Sequence, residues 1–138
     1  MRRLTVIAVF VVMMLLCGNS YAMSEVDFVA SVIAAEAVGD GYEGMYAVAC
    51  VIQNRMATRH KTAYQVVTQR KQFFGATSKN RLKLYNSVKS KVDVIAKNIG
   101  HLKDITNGAT HFENIKAFGL PYWATIQCAT IGNHTFYK

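Results

Sequence analysis

The chain has 138 residues, enough for a single domain, and its 16 Lys and Arg against 8 Asp and Glu give a formal net charge of +8. This excess suits a polyanionic partner, and nucleic acid, an anionic membrane and a carboxylate-rich cell wall all fit it. The basic residues are scattered between Arg55 and Lys103 without a dense block, which argues against nucleic acid. The sequence contains no nucleophile elbow, phosphate-binding loop, zinc-protease motif or dinucleotide-binding motif, which excludes the common enzymes of those classes.

The beginning of the chain has the pattern of a secretory signal peptide. A positively charged start is followed by an apolar run that ends at Cys17, and small residues precede a cleavage site after Ala22. The run is shorter than the roughly 20 apolar residues that a membrane-spanning helix needs. We therefore predict a signal peptide at residues 1–22 and one domain at residues 23–138, secreted or periplasmic, monomeric and without a stable membrane anchor. An uncleaved anchor is the alternative.

Three long helices are predicted in the first two thirds of the domain. Ser24 has the character of an N-cap, and the helix after it is expected over residues 25–38, ended by the turn Gly39-Asp40-Gly41. Apolar residues at helical spacing predict a second helix over residues 43–57. A third is predicted over residues 82–99, because apolar residues share one face and lysines cover the other.

The remaining segments are shorter, and the later ones have the character of strands. A short helical piece is expected at residues 64–68, and residues 72–75 are interpreted as a loop or short strand. Strand character begins at residues 110–112 and continues at residues 123–131 and 134–137, the last two joined by a glycine-asparagine turn. The expected fold class is α+β, a helical body followed by a small antiparallel β element.

Two cysteines, Cys50 and Cys128, remain after removal of the leader. An oxidising compartment favours a disulfide between them, whereas the apolar neighbours of Cys50 equally suit a free buried thiol. Both interpretations stay open. The absence of any CxxC pair argues against a cysteine-built zinc site.

Glu36 is the residue that points most directly to chemistry. It follows Ile33, Val32 and Val29 by three, four and seven positions, so it projects from the helix stripe that should face the core. Desolvation raises the pKa of such a carboxyl, and the negative end of the helix dipole acts in the same direction. A carboxyl that stays protonated near neutral pH can protonate a glycosidic oxygen. The alternative is a glutamate at the edge of the stripe that reaches solvent or pairs with a lysine.

Other polar residues offer weaker candidates. Asp40 and Glu43 could supply a second carboxyl, as many glycosidases require, although solvated turn residues are the simpler interpretation. His111 and Glu113 share one face of a predicted strand, and His134 could join them from a neighbouring strand as a metal ligand. Hydrogen-bonding roles are preferred for these three, and no cofactor is predicted.

Four segments in chain order together resemble the SleB/CwlJ-type cell wall hydrolases. The first extends from Val32 to Arg55 and contains Glu36, and the second is Lys71-Gln72-Phe73. The third extends from Asn107 to Phe112, and the fourth from Pro121 to Tyr137. They cover nearly all of the chain beyond the leader, and the combination is more specific than any of its parts.

The resemblance implies a compact lysozyme-like α+β domain that cleaves peptidoglycan glycan strands between N-acetylmuramic acid and N-acetylglucosamine. It implies a lytic transglycosylase, in which Glu36 serves as general acid and then as base. Such chemistry needs no second carboxyl and no cofactor. Asp40 stands where many relatives carry glutamate, so it receives no fixed role. The residues expected to shape the glycan groove are Gln72, Phe73, Thr110, His111, Tyr122, Trp123 and His134.

Two other functions stay open at the level of the sequence. One is a non-catalytic peptidoglycan-binding or inhibitor module with the same fold. The other is a metal-dependent hydrolase that uses His111, Glu113 and His134. Within the leading interpretation, water and the intramolecular hydroxyl both remain candidates for the attacking group.

Overall fold

The computed structural model describes residues 22–138, so nearly all of the predicted signal peptide, residues 1–21, lies outside the described residues. Within this range, no helix combines the length and the apolar character that crossing a bilayer requires. Five helices, two 3₁₀ turns and three strands follow one another along it. In chain order they are α1 (Glu25–Ala37), a 3₁₀ turn (Val38–Asp40), α2 (Gly41–Arg59), α3 (Ala63–Val67), a 3₁₀ turn (Phe74–Thr77), α4 (Arg81–Lys97), β1 (His111–Glu113), α5 (Ile115–Phe118), β2 (Gln127–Ile131) and β3 (His134–Tyr137).

The start of α1 is capped as the sequence predicts. The Ser24 hydroxyl accepts a hydrogen bond from the Asp27 N–H at 3.1 Å, which satisfies one of the unpaired donors of the first turn. Glu25 and Asp27 place negative charge at the positive end of the helix dipole. The predicted helix is therefore confirmed.

Two connecting segments, the turn predicted at residues 39–41 and the loop or short strand predicted at residues 72–75, contain 3₁₀ turns. Val38–Asp40 continues directly from α1 into α2, with the change of direction made at Gly41, whose φ of 70° is in the left-handed region. Phe74–Thr77 forms the second turn, so the short strand considered at residues 72–75 is wrong. Both turns join packed helices, and the tighter 3₁₀ geometry shortens the connection.

The helical core surrounds α1. This helix packs against α2, α3, α4 and the second 3₁₀ turn, so it is buried along most of its length. Val32 and Ile33 of α1 and Val48 and Ile52 of α2 are completely buried. Each such side chain contributes about 1.5–3 kcal/mol by leaving water. The predicted helical body is thus confirmed, with α1 at its centre.

The three strands form one antiparallel sheet with the order β1-β3-β2. The sheet packs on α2 through Phe136, which contacts Ala47 and Val51. The strand predicted over residues 123–131 begins only at Gln127, because the preceding segment folds into a turn in which Ala124 N–H donates to the Pro121 carbonyl at 3.1 Å. The α+β class predicted from the sequence is confirmed.

Side chains at the end of α2 hold the long segment that leads to β1. Gln53 Oε1 accepts a hydrogen bond from the Gly100 N–H at 2.8 Å. Asn54 Nδ2 donates to Asp104 Oδ2 at 3.0 Å and to the Ala109 carbonyl at 2.9 Å. This irregular backbone is therefore fixed to a rigid helix before the sheet begins.

The two cysteines are separate free thiols. Cys50 is buried in α2, and its Sγ–H donates to the Lys103 carbonyl at 3.7 Å. Burial raises the pKa of this thiol to about 11, which keeps it protonated and unreactive. The sequence left open a disulfide between Cys50 and Cys128 or a free buried thiol at Cys50, and the structure has the free thiol.

Replacement of the aromatic side chain that joins sheet to helices should destabilise the domain strongly. Phe136 is 0% exposed, so Phe136→Ala should lower the free energy of unfolding by about 3–5 kcal/mol, measured by urea denaturation. Phe118 is 79% exposed, and Phe118→Ala is the matched control, expected to change stability by less than about 0.5 kcal/mol. Equal effects of the two substitutions would contradict this account of the core.

Candidate active site

A cavity of about 710 Å³ lies where the end of α1, the end of α2 and the second 3₁₀ turn face the sheet. Its wall is composed of polar, charged and aromatic side chains, as in a site for a polar ligand. Of the candidates taken from the sequence, six line it: Glu36, Gln72, His111, Glu113, Trp123 and His134.

Glu36 presents a half-buried carboxyl to this cavity. Its Oε1 accepts a hydrogen bond from the Gly75 N–H at 2.5 Å. Burial raises the pKa of Glu36, and nearby Glu113 adds to the rise, while the Gly75 N–H and the positive charges of His134 and Arg55 oppose it. Because burial dominates, the pKa of Glu36 lies above 4.5. The N–H donor at Oε1 leaves Oε2 to carry the hydrogen of the neutral acid.

Gly75 allows the second 3₁₀ turn to approach α1 closely enough to make this hydrogen bond. A methyl group at residue 75 would lie 2.8 Å from the Val32 carbonyl oxygen and 3.0 Å from both Ala35 Cβ and Glu36 Oε1. These distances are shorter than van der Waals contact, so a side chain there would push the turn away. The absence of a side chain at residue 75 is therefore part of the construction of the site.

Asp40 fixes His134 and the tip of the β2–β3 hairpin. Its Oδ2 contacts His134 Nδ1 at 2.5 Å, and its Oδ1 accepts from the Asn133 N–H at 2.9 Å and from Asn133 Nδ2 at 2.8 Å. The side chain of Asp40 is only 3% exposed, so its interpretation as a solvated turn residue is wrong. Burial raises the pKa of Asp40, but the hydrogen bonds from Asn133 and His134 outweigh it, and the pKa lies below its ordinary value.

Two glycines make room for the Asp40 carboxyl. A Cβ on Gly44 would lie 2.2 Å from Asp40 Cβ, and a Cβ on Gly132 would lie 2.5 Å from Asp40 Cγ. Gly132 also has a φ of 59°, as the tight hairpin turn requires. The start of α2 and the hairpin can therefore both pack against Asp40 only because Gly44 and Gly132 have no side chains.

Arg55 lies at the floor of the cavity and is 3% exposed. Its Nε donates to the Thr110 carbonyl at 2.5 Å, its Nη1 donates to Gln72 Oε1 at 3.3 Å, and its guanidinium stacks 5.0 Å from the centre of the Phe73 ring. Burial lowers the pKa of Arg55 to about 10, with Arg59 acting in the same direction and Glu36 against it. Arg55 remains charged at neutral pH.

His111 and Trp123 form another part of the wall, with ring centres 5.2 Å apart. His111 Nδ1 lies 2.9 Å from the Thr110 hydroxyl. Burial lowers the pKa of His111, and the charges of Arg55 and Arg59 add to this effect. The neutral imidazole is thus favoured, and it can donate or accept a hydrogen bond toward the cavity.

Three of the residues expected in the groove do not line the cavity. Phe73 is 4% exposed and belongs to the hydrophobic core beneath Arg55. Thr110 contacts Arg55 and His111 from behind, and Tyr122 is 99% exposed outside the wall. The aromatic ring that the second 3₁₀ turn offers to the cavity is that of Phe74, which is 83% exposed.

The proposed metal ligands are near one another but do not form a metal site. His111, Glu113 and His134 all line the cavity. Within residues 22–138, however, no group of three or more His, Cys, Asp or Glu side chains is close enough to hold a metal ion. Glu113 Oε1 instead accepts a hydrogen bond from the Asn114 N–H at 2.9 Å.

Sequence reasoning missed Arg55 and Phe74 as parts of the site. Arg55 follows Ile52 by three positions and Val48 by seven, so it lies on the apolar stripe of α2 in the same way that Glu36 lies on that of α1. That signal was available. For Phe74 the sequence showed only an aromatic residue that could stack on a sugar, because two adjacent phenylalanines in a loop do not show which ring is buried.

The family model of the cell wall hydrolases matches residues 39–137. The chain belongs to the cell wall hydrolase family. The resemblance drawn from the four segments is thereby confirmed. The protein is an enzyme, and the activity of its family is the cleavage of peptidoglycan. The match begins three positions after Glu36, so the assignment of the family is independent of that residue.

Two solved structures have the same fold as this cell wall hydrolase. The catalytic domain of the germination-specific lytic transglycosylase SleB from Bacillus anthracis has a TM-score of 0.68 at 24% identity, covering 87% of this chain and 98% of that one. The catalytic domain of the Bacillus cereus SleB protein gives the same TM-score and identity, covering 87% and 94%. At this identity the likeness shows a shared fold. The curated protein sequences contain no significant match.

Adding a methyl group at residue 75 should change the titration of Glu36. In Gly75→Ala the new Cβ would displace the carboxyl from the Gly75 N–H, a donor that lowers its pKa, so the pKa of Glu36 should rise above that of the wild type. The measurement is a pH titration of the Glu36 side-chain carbon by NMR. Gly39→Ala is the control, because a Cβ there meets nothing within 4 Å. An unchanged or lowered pKa in Gly75→Ala would refute the role given to this close approach.

Removal of the Asp40 charge should destabilise the enzyme in a pH-dependent way. At pH 7 we expect Asp40→Asn to lower the free energy of unfolding by about 1–3 kcal/mol, because charged hydrogen bonds to Asn133 and His134 are lost. The pKa of Asp40 is lowered on folding, so its contribution is present above 3.8 and lost as the pH falls below that value.

The gap between wild type and Asp40→Asn should therefore narrow as the pH is lowered from 7 toward 3, followed by urea denaturation at each pH. Glu43→Gln, in the exposed first turn of α2, is the control and should show no comparable gap. A gap that stays constant over this range would be inconsistent with an ionised Asp40 at the hairpin.

Proposed function

We propose that this cell wall hydrolase cleaves peptidoglycan strands between N-acetylmuramic acid and N-acetylglucosamine as a lytic transglycosylase, with Glu36 as general acid and then general base. The observation that carries the proposal is the carboxyl of Glu36, half-buried in the wall of a 710 Å³ cavity with its pKa raised by burial. A carboxyl whose pKa is raised by burial, placed beside a cavity of this size, is what proton transfer to a glycosidic oxygen needs.

The surroundings of Glu36 suit a group that must both give and take a proton. Burial favours the neutral acid, whereas the Gly75 N–H and the charges of His134 and Arg55 favour the carboxylate. These opposing effects bring the two protonation states closer in free energy than burial alone would allow. In the first step, Oε2 of Glu36 protonates the glycosidic oxygen and the bond to C1 of the muramic acid breaks.

In the second step the Glu36 carboxylate accepts the proton of the 6-hydroxyl of the same muramic acid, whose oxygen attacks C1. The product is a 1,6-anhydro ring, and Glu36 regains its proton, so the cycle needs one carboxyl and no water. Asp40 is already bound by Asn133 and His134 and is not free to activate a nucleophile. The Bacillus anthracis protein of similar structure is a lytic transglycosylase, which supports the same chemistry here.

The rest of the wall would hold the sugar strand. Gln72, His111 and His134 offer hydrogen-bonding groups, and Trp123 and Phe74 offer ring faces on which a pyranose can stack. Since peptidoglycan lies outside the cytoplasmic membrane, we propose a secreted or periplasmic enzyme that acts as a monomer, exported by the predicted leader.

The substitution Glu36→Gln keeps the shape of the side chain and removes the proton. We expect it to reduce the release of soluble muropeptides from purified peptidoglycan on the order of 10²–10⁴-fold, the usual contribution of a general acid. Glu25→Gln is the control, because Glu25 is an exposed carboxyl at the other end of the same helix. Wild-type activity should fall as the pH rises through the raised pKa of Glu36, since only the protonated form donates.

Mass spectrometry of the wild-type digest decides how the reaction ends. Anhydro ends are expected, and reducing ends would show that water completes the reaction. Full activity of Glu36→Gln would remove Glu36 from the mechanism altogether.

A further inference from the structure

Arg55 carries a buried positive charge that forms no salt bridge with any of residues 22–138, although the nearby Glu36 carboxyl interacts with it electrostatically. The side chain is 3% exposed, yet within the described range, residues 22–138, the salt bridges are Lys89–Asp93 and His134–Asp40, and neither includes Arg55. Leaving a buried charge without an ionic partner is costly. A buried charge that lines a cavity and has no salt-bridge partner is a candidate for binding an anionic ligand.

The hydrogen bonds of Arg55 show which donors remain available. Nε is used by the Thr110 carbonyl, and one donor of Nη1 by Gln72 Oε1. Nη2 has no hydrogen-bond partner among the described residues. It is nevertheless accessible to solvent, since it is not one of the fully buried unpaired atoms. Nη2 therefore offers two N–H donors and Nη1 one more, which is enough to bind both oxygens of a carboxylate.

The fixed position of Arg55 makes these donors ready for a ligand. The Thr110 carbonyl and the Phe73 ring hold the guanidinium on two sides, so little side-chain entropy is lost on binding. Lys71 also lines the cavity, and it adds a second, exposed positive charge to the wall. The cavity thus combines a sugar-sized volume with a rigid cationic group at its floor.

We infer that Arg55 is the binding site for a carboxylate of the peptidoglycan strand, and that it anchors the strand beside Glu36. This inference rests on the proposed function, since it names the part of that substrate which the floor of the cavity recognises. Two carboxylates of peptidoglycan have the required chemistry. One is the lactyl group of a muramic acid that carries no peptide, and the other is a free carboxylate of the stem peptide.

The experiment uses small ligands that contain no glycosidic bond to cleave. N-acetylmuramic acid carries the lactyl carboxylate, its methyl ester does not, and muramyl dipeptide has an amidated lactyl group with a carboxylate on the peptide. Trp123 is the one tryptophan of the chain and lines the cavity, so its fluorescence reports binding. With the full-length wild type, we expect N-acetylmuramic acid or muramyl dipeptide to bind about tenfold more tightly than the ester.

Preference for the acid assigns the site to the lactyl group, and preference for the dipeptide assigns it to the stem peptide. Equal affinity of the wild type for all three ligands would overturn the inference. This comparison needs no variant, so it holds even if substitutions at residue 55 impair folding.

Variants then test which cation is responsible. Arg55→Gln should abolish the preference and Arg55→Lys should weaken it, whereas Arg59→Gln, one turn further along α2 and bound to Gln69, should keep it. Loss of the preference in Lys71→Gln with its retention in Arg55→Gln would assign the site to Lys71 and overturn the inference.

The outcome is separable from that of the proposed function. Glu36→Gln should retain the preference for a carboxylate while it loses cleavage. Cleavage by Glu36→Gln would refute the proposed mechanism and leave the carboxylate site intact. If the wild type shows no preference for a carboxylate, the carboxylate site is refuted and the proposed mechanism stands.

Discussion

The withdrawal of one carboxyl from water organises this structure. Glu36 can be half-buried only because α1 is surrounded by other helices and because the second 3₁₀ turn approaches it at Gly75, where there is no side chain. Burial favours the proton, and a single N–H from the turn holds the carboxyl in place. The position of the Glu36 carboxyl is therefore a consequence of how closely the backbone of the turn can approach that of α1.

The other charged groups of the site are buried in the same way but compensated differently. Asp40 is held by Asn133 and His134, which join the start of α2 to the hairpin and fix the imidazole that faces the cavity. Arg55 is held by the neutral oxygens of Thr110 and Gln72 and by the Phe73 ring, and we infer that its charge binds a carboxylate of the ligand. One carboxylate thus has a structural role, and one guanidinium is available for binding.

Three successive side chains at the end of α2 connect the helical body to the sheet. Gln53 and Asn54 fix the irregular backbone that follows α4, and Arg55 binds the carbonyl of Thr110 immediately before β1. Side chains thereby replace the backbone pairing that an irregular segment cannot provide for itself. Their position on one rigid helix explains how a short sheet with little core of its own is held against Glu36 closely enough to complete a cavity.

The sequence by itself determined the three long helices and the short α3, the family and the position of Glu36 on a buried stripe, because helical periodicity and local capping are properties of neighbouring residues. The short α5 was not predicted. Only the tertiary structure decided that Asp40 is bound by a hairpin 93 residues away, that Phe74 rather than Phe73 faces the cavity, and that Arg55 forms no salt bridge with any of residues 22–138. These features depend on contacts between segments that are distant in the chain. The distance between such segments is set at positions such as Gly75 and Gly132, where the lack of a side chain allows close approach. No local sequence pattern encodes these distances.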